Sequence, residues 1–119
     1  MKEISWQEFE NVELRVGTIL SAEPFPEARV PAYKLKIDFG DDIGTRKSSA
    51  QITDLYSAEE LVGRQIIVVA NLAPRTIRGE ESNGMLLAAS AMGGESGDEL
   101  EAVVLLQPGK PVPNGSAIH

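Results

Sequence analysis

The 119-residue chain has no cysteine. That excludes a disulfide, a thiolate zinc site, an iron–sulfur cluster and a cysteine nucleophile. Histidine is almost as scarce. The one imidazole is His119, the last residue, which also removes histidine metal cages and Ser/His or Cys/His dyads. No apolar run approaches the ~18–20 residues that span a bilayer. Residues 1–11 hold several acids and no apolar stretch, unlike a targeting signal. A soluble, cytoplasmic protein without membrane insertion is expected. Positive charge is in short supply too. The net charge of −7 argues against a general polyanion binder, and residues 79–101 carry six acids and no base.

What is present is one ordinary core. Hydrophobic residues make up 42% of the chain, enough for a single domain over residues 1–119 to bury roughly two-thirds of its unfolded surface. The bases gather in two stretches: Arg15, Arg29, Lys34, Lys36, Arg46 and Lys47, then Arg64, Arg75 and Arg78. An anion-binding surface needs such a local patch, not a positive total.

Ser5-Trp6-Gln7-Glu8 has the spacing of a capping box and predicts a short helix over 5–11, with Trp6 and Phe9 on one face. A strand follows from Leu14, and its apolar phase changes after Gly17, which suggests a bulge or bend there. Pro24, Pro26 and Pro31 mark a loop. In the next strand Tyr33, Leu35, Ile37 and Phe39 alternate with Lys34, Lys36 and Asp38, giving one apolar and one mostly basic face. Residues 40–44 read as a turn and 45–52 as a third strand. Ser57-Ala58-Glu59-Glu60 repeats the capping-box spacing before a helix ending at Gly63. The run 66–70 reads as a buried strand, 71–84 as a loop, 85–92 and 102–107 as further strands, and 108–115 as a non-helical tail. Three strands, a short helix, then two or more strands is the layout of the OB-fold, an all-β five-stranded Greek-key barrel, here with an N-terminal helix and a C-terminal extension. Another small barrel or an α+β sandwich fits the same pattern.

Several segments resemble the tRNA-binding domain family: Leu14-Arg15-Val16-Gly17-Thr18-Ile19, Lys34-Leu35-Lys36-Ile37-Asp38-Phe39-Gly40, Asn71-Leu72-Ala73-Pro74-Arg75, Ile77-Arg78-Gly79 and Ser82-Asn83-Gly84-Met85-Leu86-Leu87-Ala88. Within that family, Pro26-Glu27-Ala28-Arg29-Val30-Pro31-Ala32, Ser48-Ser49-Ala50-Gln51-Ile52-Thr53 and the Leu105-Leu106-Gln107-Pro108 ending are similar to the CsaA branch of export-related chaperones. Ser82-Asn83-Gly84-Met85, by contrast, is closer to the branch appended to synthetases. The resemblance implies an OB-fold, and it implies that the loop ending in Ser82-Asn83-Gly84-Met85 faces nucleic acid.

On that footing the expected RNA-binding residues are Lys34, Lys36, Asn71, Arg75, Arg78, Ser82, Asn83, Gly84 and Met85. The arginines would serve as planar phosphate donors, Ser82 and Asn83 as short hydrogen-bonding groups, and Gly84 as a point of close backbone approach. Met85 and Phe25, the latter expected to be exposed between two prolines, are candidates for gripping a peptide. Trp6, Phe9, Val103 and Leu105 are candidates for a homodimer interface, which the resemblance implies. Each has a plainer role open to it: Asn-Gly as a turn, Met85 as core, paired lysines as a solvated strand face. Only six aromatic rings are present, which favours recognition of folded RNA by shape over stacking of single strands. No acid/base couple, phosphate loop or metal-ligand spacing is found, so the chain is read as non-catalytic, without cofactor or metal. Three functions compete. One is a CsaA-like binder of tRNA and of unfolded or precursor polypeptides. Another is an accessory factor of an aminoacyl-tRNA synthetase that holds no peptide. The last is a protein-interaction module that has lost its RNA surface.

Overall fold

The computed structural model describes the backbone of residues 1–119 and every side chain except that of Glu101. Helix α1 (Trp6–Glu10) is capped as the spacing predicts: Ser5 Oγ accepts from the Glu8 amide, and the Glu8 carboxylate accepts from the Ser5 amide, both at 3.1 Å. Strand β1 (Leu14–Pro24) is long because it serves two neighbours. Its first half pairs with β4 (Gln65–Val69) and its second half with β2 (Tyr33–Asp38), so the sheet must curl around it. Strand β3 (Thr45–Ala50) completes the meander, stopping short of the expected Ile52. Helix α2 (Ala58–Leu61) then crosses to β4 and drives the fully buried Leu61 into the barrel. Its capping box is half formed: Ser57 Oγ accepts from the Glu60 amide, but the Glu60 carboxylate turns to accept from Ser57 Oγ rather than from the cap amide.

Other features differ from expectation too, among them the last strand, expected over 102–107 and found over residues 99–105. Residues 75–82 are a hairpin of β5 (Arg75–Ile77) and β6 (Glu80–Ser82), not loop. Arg78 and Gly79 turn it with φ of 49° and 83°, the positive pair that a two-residue type I′ turn requires. The strand expected over 85–92 is broken at Leu87 into β7 (Met85–Leu86), which pairs with β4, and β8 (Ala88–Gly93), which pairs with β9 (Glu99–Leu105). The phase change in β1 also has another cause. The extra residue lies between Ile19 and Ser21, whereas Gly17 is where the core presses closest: a Cβ there would sit 2.6 Å from Ile37 and 2.9 Å from the Phe39 ring.

The main sheet runs β3-β2-β1-β4-β7. Its concave side holds Ile19, Leu35, Ile37, Phe39, Ile52, Leu61, Ile66, Val68 and Leu105. Across the gap, the Asn83 amide donates to the Lys47 carbonyl at 2.8 Å and draws the segment after β6 onto β3. A three-strand meander, a helix and closing strands make this an OB-fold half-barrel with short helices. Residues 114–118 lie along the part of β1 that β2 leaves unpaired. The Val16 amide donates to Ser116, while the Gly115 and Ile118 amides donate to Val16 and Leu14. No helix of the described residues is long and apolar enough to cross a membrane.

Candidate nucleic-acid interface

Strand β2 places Leu35 and Ile37 inward, so Lys34 and Lys36 must point outward. The tight turn after Asp38 sets the β2–β3 register and puts Lys47 directly opposite Lys36, and Ser49 opposite Lys34. These side chains, with Ser21 and Glu23 of β1 and Glu80 and Glu81 of β6, line a cavity of about 240 Å³. Of the three lysines in this cavity, Lys34 is the most engaged. Its Nζ lies 3.6 Å from Glu80 Oε1 and 5.5 Å from the centre of the Phe25 ring. Among the described residues, the side chains of Lys36, Lys47, Arg75 and Arg78 have no hydrogen-bond or ion-pair partner.

A second, apolar groove of about 410 Å³ adjoins it, with Phe25 and Ser49 in both walls. Phe25, Ile52, Ile77, Leu86, Val103 and the half-exposed Met85 line it, and Arg75 stands among them. The two grooves meet along the β5–β6 hairpin, so the basic strand face and the segment up to Met85 do come together. They are joined by Asn83 on Lys47 and by the buried Ser48, whose Oγ donates to the Gly84 carbonyl at 3.0 Å.

The expected residues fare unequally. Lys34, Lys36, Arg75, Arg78, Asn83 and Met85 lie on or beside these surfaces. Asn71 is engaged within the protein: its side-chain amide accepts from the Glu13 backbone and donates to the Asn11 carbonyl, tying α1 to the barrel. Gly84 lies against the protein's own β4, since with φ of 101° a Cβ would fall 2.9 Å from Val68. Ser82 is 8% exposed and faces inward. Phe25 is a correction as well. At 3% exposure it is buried, because the Phe25 and Ala32 backbones bond across the proline loop and fold its ring under that loop. Leu105 belongs to the core and Val103 packs against it, while Val104 and Leu106 point outward, one position out of phase with the expected interface pair. Trp6, a candidate for the dimer interface, is 83% exposed in this chain and shares an apolar patch with Ile4 and Phe9. Lys47 is the residue the sequence reading missed. Closing the turn over 40–44 would have set Lys36 against Ser48; the observed pairing of Phe39 with Gly44 shifts the register by one and brings Lys47 there.

Comparison with known proteins agrees with this geometry. The family model described as "Putative tRNA binding domain" matches residues 14–117. The chaperone CsaA of Bacillus anthracis str. Ames is 43% identical, with a TM-score of 0.84 over 99% of this chain and 100% of that one. CsaA of Picrophilus torridus is 40% identical, with a TM-score of 0.85 over 98% of this chain and 100% of that one. The methionine–tRNA ligase of Thermococcus kodakarensis is 40% identical over 119 residues, all of this chain but 15% of the ligase. The chain thus spans about one-seventh of the length of the curated relatives it matches. With a barrel like that of CsaA and a sequence shared with methionine–tRNA ligases, the chain belongs to the tRNA-binding domain family.

Proposed function

We propose that the chain is a non-catalytic cytoplasmic binding protein, one tRNA-binding-type domain over residues 1–119, that holds structured RNA, tRNA above all. The observation that carries this is the convergence of Lys34, Lys36 and Lys47 on one cavity beneath the hairpin that bears Arg75 and Arg78. Arg78 adds a second argument. It occupies a left-handed turn position that glycine or asparagine fills at less cost, and such strain tends to be kept where the side chain works.

The test is fluorescence anisotropy of labelled bulk tRNA at low and near-physiological salt. Saturable binding that weakens with salt and survives excess duplex DNA is expected. Arg78→Gly separates function from fold. It supplies the residue the turn prefers, so stability should hold or rise by up to about 1 kcal/mol. Affinity for tRNA should nonetheless fall a few-fold, as for loss of one phosphate contact. Equal affinity in both proteins would remove Arg78 from the interface.

The apolar groove favours a further property of the same protein, capture of exposed hydrophobic segments of unfolded or export-bound polypeptides, with Phe25 as its floor and Met85 at its rim. A homodimer through the Ile4, Trp6 and Phe9 patch would cover the most exposed aromatic surface. The alternative is an accessory factor of an aminoacyl-tRNA synthetase, supported by the methionine–tRNA ligase relatives. A hydrophobic peptide that neither binds nor competes with tRNA would favour that alternative.

A further inference from the structure

The lysine cavity contains its own anions. Lys36 and Lys47 face each other across the β2–β3 pair with no counter-charge between them. Like charges directly opposite destabilise a sheet. Both point outward, so the core has no need of lysine at either place. The hairpin brings Glu80 and Glu81 to the same cavity, where Glu80 is bonded to the neighbouring Lys34. The hairpin is a two-stranded sheet of its own. Its link to β3 is the base, through Asn83 on Lys47 and Ser48 on Gly84, so its tip can lift while these two bonds hold.

From this we infer that the β5–β6 hairpin is an internal clasp. Glu80 and Glu81 supply the negative charge of the cavity in the free protein, and RNA binds by displacing them onto solvent, which releases Lys34 to take a phosphate beside the unpaired Lys36 and Lys47. This rests on the RNA-binding reading above. A single anion gains too little from two exposed lysines to displace a tethered carboxylate at high effective concentration. A folded RNA presents many phosphates at fixed spacing and displaces it readily. The clasp therefore sets a threshold that favours RNA over small anions, and it keeps Lys34, the paired member of the basic site, covered until RNA arrives.

The experiment is tRNA anisotropy with wild type, Glu80→Gln, Glu80→Gln/Glu81→Gln, and Glu95→Gln on the other hairpin, each checked by thermal melt. Glu80→Gln should bind about two- to fivefold tighter at low salt, the range expected for release of one exposed ion pair. The double variant should gain more, the gain should shrink as salt rises, and Glu95→Gln should match wild type. Binding by wild type with no gain in the Glu80 variants would overturn the clasp alone. An equal gain in Glu95→Gln would overturn it too, since net charge would then explain the effect. No binding by any protein would overturn the RNA reading and the clasp with it. Binding by the double variant only would support the clasp in its strongest form.

Discussion

Phe39→Ala should lower stability by about 3–5 kcal/mol, a large share of the roughly 5–15 kcal/mol that holds a typical domain together. The ring is buried at the point where three elements converge. It lies on the bare Cα of Gly17 in β1, its amide donates to the Gly44 carbonyl across the turn, and its carbonyl lies against Gly115 of the tail. Phe39 helps to hold both positions as glycine: a Cβ at Gly17 would meet the ring at 2.9 Å as well as Ile37 at 2.6 Å, and one at Gly115, whose φ is 87°, would meet the Phe39 carbonyl oxygen at 2.5 Å. A cavity there cannot be refilled by neighbours already fixed by backbone pairing. Urea denaturation followed by circular dichroism should show the midpoint falling with the slope unchanged. A loss below about 1 kcal/mol would mean that the barrel collapses around the missing ring.

Lys36→Ala/Lys47→Ala should have the opposite signature. Removing two like charges that face each other across strands relieves repulsion, so the melting temperature should hold or rise. Affinity for tRNA at low salt should fall roughly tenfold, and the slope of log K against log salt should drop by about 1.4–1.8, the sum expected for two phosphate contacts. Weaker binding by a protein no less stable would assign both lysines to the bound phosphates and leave the fold out of the explanation. An unchanged slope would move the RNA surface off the β2–β3 face, towards the arginines of the hairpin.

Much of the barrel was legible because local rules and tertiary demands coincide. Ser5 and Glu8 make both arms of their box, and strict alternation from Tyr33 to Phe39 separates the inward face of β2 from the outward one. The turn from Gly40 to Gly44 comes within one residue of the register. Gly44 pairs with Phe39 instead of belonging to the turn, and that step puts Lys47 in place of Ser48 opposite Lys36. What resisted reading were elements whose reason lies elsewhere in the chain. The β5–β6 hairpin has three-residue strands and an Arg-Gly turn in place of Asn-Gly, so neither periodicity nor turn chemistry announces it. Phe25 looks exposed between its prolines until the loop is seen to fold over it. At the end of β9, Val103 to Leu106 is a continuous apolar run that passes one residue beyond the strand, and such a run gives no phase. Leu105 goes inward because its amide donates to the Tyr56 hydroxyl, and Tyr56 is itself held by the Tyr33 hydroxyl, which donates to its carbonyl. Asn71 carries a family signature, yet its side-chain amide is spent on Asn11 and Glu13.

The tail along β1 also orders events in time. Arg15 bonds the carbonyl of Gly115, and Val16 exchanges hydrogen bonds with Gly115 and Ser116. These pairings join residues about as far apart in sequence as the chain allows, and such contacts are slow to form because a long loop must close first. During synthesis β1, β2 and β3 can pair as they leave the ribosome, but half of one edge of β1 must wait, its donors and acceptors open, until residue 118 is free. Within this sheet, the strand made first is the last to be finished.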